Sequence, residues 1–209
     1  MGCRFCASTL DGWERNLLPS EMLDQIYRIQ SITGERVSNV VVMGTGEPMD
    51  NYDNIVRFVH LLSDEDGLNI SQRNITVSTC GIVPKIYELA KEKLQITLAL
   101  SLHAPNDEIR RQTMPIANRY TIGEIIQACK YYFDKTGRRI TFEYSMIRGV
   151  NDKEEHAKEL AGRLSGLNCH INLIPLNEVK ERNCYRSTKE DIEKFKTILE
   201  KYRKTVTIR

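Results

Sequence analysis

Three observations predict an α/β fold in which parallel strands alternate with covering helices. Short runs rich in Val, Ile, Leu and Thr recur along the chain, stripes of apolar residues spaced three and four apart lie between them, and polar residues gather where the runs end. Right-handed crossovers close such an alternation into a full or partial (β/α) barrel or leave it as an open doubly wound sheet. Both architectures place ligands at the carboxyl ends of the strands. At 209 residues the chain has the length of one domain around a single core.

In chain order, a first helix is expected over 20–33, with Ser20 as its cap. Strands are expected at 40–43, 74–78, 95–102, 140–146 and 169–174, with a short last one at 205–208. Ile122, Ile125, Ile126, Cys129 and Phe133 mark one amphipathic helix, and Ala157, Leu160, Ala161 and Leu164 another. A last helix over 191–202 turns Ile192, Phe195 and Leu199 inward. No linker or low-complexity tract interrupts the pattern.

The formal charge of +2 is compatible with a nucleic-acid partner but too small to argue for one. No run approaches the roughly 18 apolar residues that a membrane span needs, and the N-terminus is too polar for a signal peptide. Cys80, Cys129, Cys169 and Cys184 are scattered singly, as reduced thiols in a cytoplasmic protein would be.

The strand ends read Gly44-Thr45-Gly46-Glu47-Pro48, then Ser78-Thr79-Cys80-Gly81, then Ser101-Leu102-His103-Ala104-Pro105, and later Pro175-Leu176-Asn177. Converging hydroxyl, carboxylate, imidazole and amide groups suit a small ligand carrying both an amine and a carboxylate. Each residue alone is equally at home in a turn or cap. Glu47, between Gly46 and Pro48, is the most telling of them. His103, flanked by Leu and Ala-Pro, fits a hydrogen-bonded structural residue better than a proton-transfer group, and is expected at most to touch a ligand. Gly44-Thr45-Gly46 lacks the third glycine and helix start of a dinucleotide loop.

Cys3-Arg4-Phe5-Cys6 sets two thiols three positions apart, the spacing of half a zinc site, a redox pair or part of an iron–sulfur loop. A second C-x-x-C is absent, which disfavours a zinc knuckle, and no strand precedes the pair as a thioredoxin-like motif requires. Gly2-Cys3-Arg4-Phe5-Cys6-Ala7-Ser8 resembles the end of the C-x-x-x-C-x-x-C loop of radical S-adenosylmethionine enzymes. The resemblance continues through Arg15-Asn16-Leu17, Val42 to Pro48, Val77 to Gly81, Ser101 to Asp107 and Ile171 to Asn177, nearly end to end, and is specific to the RlmN/Cfr group of RNA methyltransferases.

This resemblance implies an α/β fold as a partial (β/α) barrel of the radical-SAM type, lacking its first strand, with residues 1–209 as an incomplete core. It implies a 4Fe-4S cluster held in part by Cys3 and Cys6, and S-adenosyl-L-methionine contacted by Gly46, Glu47, Ser78, Ser101, Leu102, His103 and Asn177. The reaction implied is methylation of a ring carbon of adenosine, carbon 2 favoured, in 23S ribosomal RNA and transfer RNA, served by a reductase or other electron donor. In the family a first cluster cysteine would precede Met1, and the methyl-carrying cysteine would follow Arg209. An N-terminal helical domain and a C-terminal catalytic tail are therefore expected to lie outside this chain, and no catalytic residue is assigned within it. The alternatives are an inactive fragment that binds S-adenosylmethionine or RNA, and a Cfr-like carbon-8 methyltransferase. Arg110-Arg111, Arg138-Arg139 and the basic residues of 180–186 are either phosphate contacts or solvated surface charge.

Overall fold

The computed structural model describes residues 1–10 and 12–209, the side chain of Lys180 excepted. Six strands form one sheet: β1 (Val40–Val42), β2 (Ile75–Thr79), β3 (Thr97–Ser101), β4 (Ile140–Met146), β5 (Cys169–Pro175) and β6 (Thr205–Ile208). They lie side by side in chain order, and every pairing is parallel. Among the described residues, α1 (Pro19–Thr33) precedes the sheet, and α2 (Tyr52–Ser63), α3 (Val83–Leu89), α4 (Asp107–Thr113), α5 (Ile122–Thr136), α6 (Glu154–Arg163) and α7 (Lys189–Lys201) connect its strands. This sequential order with a crossover at every step is that of a barrel rather than of a doubly wound sheet, whose strand order reverses midway. The barrel is partial. β1 and β6 do not pair, yet Nη1 of Arg209, just past β6, comes within 3.7 Å of the Met43 sulfur just past β1.

Successive strand residues point to opposite faces. On the helix side Leu98 and Leu100 of β3, Phe142 and Tyr144 of β4, and Ile171 and Leu173 of β5 join the apolar core. Tyr144 stacks obliquely on Phe195 of α7 with ring centroids 5.2 Å apart, and its hydroxyl donates to the Asn151 carbonyl at 2.7 Å. Each such side chain contributes about 1.5–3 kcal/mol on burial, so this layer dominates the stability of the fold. On the other, concave face β3 to β6 carry Ser101, Glu143, Asn172 and Thr207 in direct register, one residue beyond the apolar row of Leu100, Phe142, Ile171 and Val206.

The structure corrects several local expectations. Leu18, not Ser20, is the N-cap of α1; Pro19 fills the first helical position, and the Glu21 carboxylate accepts the Leu18 N–H at 2.8 Å, which leaves a serine cap nothing to do. On α5, Tyr132 replaces Phe133 as the last buried position, because its hydroxyl reaches the Ile96 carbonyl at 3.2 Å. The helices α2, α3 and α4 complete the crossovers between β1, β2, β3 and β4. No helix among the described residues is long and apolar enough to cross a membrane.

Candidate active site

The loops beyond β1, β2 and β3 are tied together at the carboxyl end of the sheet by a half-buried carboxyl group and a buried guanidinium. Glu47 supplies the first. Its carboxylate accepts the N–H of Met49 at 3.0 Å and that of Cys80 at 2.7 Å, with the Thr79 hydroxyl and Cys80 thiol also donating to it. Burial pushes this carboxyl above its usual range, and these donors oppose the shift. The acid that the sequence singles out at the strand ends is turned inward and locks the β1 loop to the β2 loop.

Arg110 of α4 supplies the second. It is 0% exposed; Nε donates to the Leu102 carbonyl at 3.1 Å, and Nη2 to the carbonyls of Cys80 at 2.6 Å and Ser101 at 3.2 Å. It joins the β2 and β3 loops from beneath, so it is unavailable as a phosphate contact. Its Nη1 is the one sealed side-chain nitrogen or oxygen without a partner among the described residues. Arg138 is corrected as well: it bonds the Ile96 carbonyl and the Thr97 hydroxyl at the amino end of the sheet, opposite the mouth. Arg182, by contrast, lies at the mouth and donates to the Thr9 hydroxyl at 3.4 Å. The Lys180 side chain is outside the described residues.

Gly81 belongs to the same corner. Its φ of +96° suits glycine, and a Cβ there would fall 2.9 Å from Cδ1 of Ile125 on α5, so a side chain would be strained in backbone and would have to displace the end of Ile125.

His103 is fixed rather than free. Its Nδ1 accepts the Ser145 N–H at 2.9 Å, its backbone stands at φ +56°, and its carbonyl takes a bond from the Asn151 side chain at 2.8 Å. Full burial beside Arg110 holds the imidazole at a pKa of about 3, so it is neutral and its remaining proton sits on Nε2. That makes it a poor acid or base and a good wall. Leu102 contributes backbone only: its side chain is 0% exposed, while its N–H donates to the Glu143 carbonyl at 3.1 Å. Ser78 is buried and donates its hydroxyl to the Val42 carbonyl at 3.1 Å. Gly46 and Asn177 lie on the exposed rim, Ser101 is half-buried, and no hydrogen bond engages the Ser101 or Asn177 side chain among the described residues.

The cysteine loop lies on this rim. The Arg4 N–H donates to the Thr113 carbonyl at the end of α4 at 2.8 Å, and the Phe5 ring meets His103 edge-on with centroids 4.8 Å apart. The Thr9 hydroxyl closes the loop on the carbonyls of Cys3 and Cys6. Cys3 and Cys6 are half-buried free thiols, and burial together with the neighbouring Cys6 raises the Cys3 thiol above its usual pKa. Cys80, Cys129 and Cys169 are buried. Among the described residues no group of three or more His, Cys, Asp or Glu side chains is placed to hold a metal ion. The donor set therefore fits two positions of a thiolate-held cluster and not a complete mount.

Sequence reasoning missed the structural role of Arg110 and gave none to Glu143, Asn151 or Asn172. Glu143 and Asn172 had a signal, the polar residue at every second position of Ile140–Met146 and at His170 and Asn172 in the first half of Cys169–Pro175. Arg110 had none, because an arginine in a polar helix start reads as solvated.

A six-stranded parallel partial barrel with a C-x-x-C loop seated on polar strand ends defines a class of protein that binds a small polar ligand beside a thiolate-held centre. The Radical SAM superfamily model matches residues 1–161, and the chain belongs to that superfamily. Its members use a 4Fe-4S cluster and S-adenosylmethionine. Within it, the chain is 68% identical over all 209 residues to a probable dual-specificity RNA methyltransferase RlmN of Lachnospira eligens, and 64% identical to that of Lachnoclostridium phytofermentans. It spans 60% and 59% of the length of these relatives. A radical SAM methyltransferase from Sphaerobacter thermophilus superposes with a TM-score of 0.95 at 47% identity, over 100% of this chain and 62% of that one.

Proposed function

We infer that residues 1–209 are the core domain of a radical S-adenosylmethionine methyltransferase that modifies a ring carbon of adenosine, carbon 2 in preference to carbon 8, in 23S ribosomal and transfer RNA. The observation that carries this reading is the seating of Cys3 and Cys6 beside the tied strand-end loops: the Phe5 ring between them rests on His103. The identity to proteins named RNA methyltransferases over the whole chain supports the substrate class. A cytoplasmic location and a reductase as electron source go with it.

In this reading Cys3 and Cys6 hold two iron atoms of a 4Fe-4S cluster, which when complete supplies the electron that cleaves S-adenosylmethionine reductively. The chain's own part is to orient and shield. The Ser101 hydroxyl and Asn177 amide have free hydrogen-bonding capacity toward the polar ends of the ligand, Ser78 retains its acceptor lone pairs, and Gly46 leaves the β1 loop open to close approach. Glu47 acts by fixing the Cys80 N–H and the shape of the rim. His103 presents a neutral wall that keeps a positively charged sulfonium free of competing bases, and Leu102 fixes the backbone before it.

A second reading, a scaffold that binds S-adenosylmethionine or RNA without chemistry, is favoured by the two-thiol donor set. Anaerobic reconstitution with iron and sulfide separates the two. The enzyme reading expects a brown protein with a 4Fe-4S absorption and electron paramagnetic resonance signature that forms 5′-deoxyadenosine when given dithionite and S-adenosylmethionine. A colourless protein that still binds S-adenosylmethionine supports the scaffold.

A further inference from the structure

The concave face beyond β3 carries a carboxylate that none of the groups above uses. Glu143 of β4 is 4% exposed and stands in register with Ser101 on one side and Asn172 on the other. A parallel strand buried on both faces normally reads as continuous apolar sequence, so a polar row here marks a face turned toward something other than core. The row is wired from one side. The Thr207 hydroxyl donates to Asn172 Oδ1 at 3.1 Å, and Asn172 Nδ2 donates to Glu143 Oε2 at 2.8 Å.

These bonds orient the carboxyl group through one oxygen and leave the other. No donor among the described residues reaches Oε1, and it is not among the sealed atoms lacking a partner, so it keeps access to the concave side, where the charge of Arg209 past β6 favours the carboxylate form. A buried acceptor held from behind and open in front is the arrangement a site uses to read a donor on a ligand.

The mouth thus has two halves. The cysteine loop, Glu47 and Ser78 occupy the β1 to β3 side, while Glu143, Asn172 and Thr207 occupy the β4 to β6 side. We propose that Glu143 is a specificity residue that accepts a hydrogen bond from the exocyclic amino group of the target adenine, with Asn172 and Thr207 as its positioning residues. This rests on the RNA methyltransferase reading above and adds to it the group that tells adenine from other purines. A base presented out of its stack is read along its hydrogen-bonding edge. A carboxylate oxygen accepts the adenine amino group and repels the carbonyl oxygen that hypoxanthine carries in its place.

The test measures binding of this chain to an RNA hairpin with adenine, purine or hypoxanthine at one loop position, and separately to S-adenosylhomocysteine. The wild type is expected to bind the adenine hairpin roughly tenfold or more tightly than the other two, the scale of a hydrogen bond to a charged group. Glu143→Ala is expected to erase that preference and leave S-adenosylhomocysteine affinity within about twofold. Glu143→Gln keeps the shape if the alanine variant folds poorly, and Asn172→Ala, which frees the carboxyl group to rotate, is expected to reduce the preference while keeping the charge.

An adenine preference that survives in both Glu143 variants overturns the proposal. So does a loss confined to S-adenosylhomocysteine, which would make Glu143 a contact of that ligand. Equal binding of all three hairpins by a wild type that does bind S-adenosylhomocysteine overturns the proposal and leaves the functional reading standing. Failure of the wild type to bind either kind of ligand overturns both.

Discussion

The cysteine loop and the strand-end loops share one mouth but are held in different ways. The loops beyond β1, β2 and β3 are tied by a half-buried carboxyl group and a buried guanidinium with several partners each: Glu47 takes two backbone N–H groups, and Arg110 gives to three carbonyls. Residues 2–6 meet the barrel and its loops through one backbone bond to Thr113, a long contact from the Cys184 thiol to the Arg4 carbonyl and the edge of Phe5 on His103. The rim that would grip a ligand is built into the fold, whereas the loop that would hold metal leans on it. Orienting a ligand demands a shape that does not relax, and buried, fully used hydrogen bonds supply it. A thiolate loop acquires its order from the metal it binds.

The sharpest way to break the rim is Arg110→Met. It strands three carbonyls in the interior, and a loss of roughly 3 kcal/mol is expected in urea unfolding. The same variant should raise amide exchange at Cys80 to Leu102 more than at residues 2–6. Equal loss of protection in both regions would mean that the two are not independently held.

Comparable in size, but spread over several pH units, is a pH effect at His103. Its folded pKa of about 3 lies below the ordinary 6.5, so the unfolded chain takes up a proton that the folded chain refuses. Stability should therefore fall as pH drops from 6.5 toward 3, by up to about 1.4 kcal/mol per unit from this group alone. His103→Asn, which tolerates the positive φ and keeps an acceptor for the Ser145 N–H, should flatten that slope in melting curves recorded across the range. Glu143 works in the opposite direction. Its raised carboxyl takes up a proton in the folded state first, and so offsets part of the loss at the acid end.

Phe5→Ala sharpens the comparison from the other side. The edge contact contributes about 0.5–1.5 kcal/mol, and its loss should appear as faster proteolysis within residues 1–10 with little change in global unfolding. Smallest of all are Cys3→Ser and Cys6→Ser. Stability should stay within about 0.5 kcal/mol of wild type, because serine nearly keeps the size of each half-buried thiol, while iron uptake on reconstitution is lost. A large stability loss in the serine variants would show that the loop is part of the core after all.

The alternation of β-branched runs with apolar stripes announced the parallel sheet, and the C-x-x-C pair with the polar strand ends announced the site, since each is a local pattern. The same pattern placed β4 exactly where it lies, because seven alternating residues leave one register open to them. It misplaced the cap of α1, where a carboxylate three residues on did the work assigned to Ser20, and it left out α4, a short helix whose one buried charge looks like surface in sequence.

By itself the sequence determined which residues stand at the strand ends and which thiols stand together, because strand period and loop spacing are properties of neighbours in the chain. Only the tertiary structure decided what those residues do. Glu47 turned inward, His103 became a neutral wall, Arg110 became the tie beneath the rim and Glu143 came to face the mouth, because burial and hydrogen-bond partners arrive from segments tens of residues away, and they set the charge and freedom of each group.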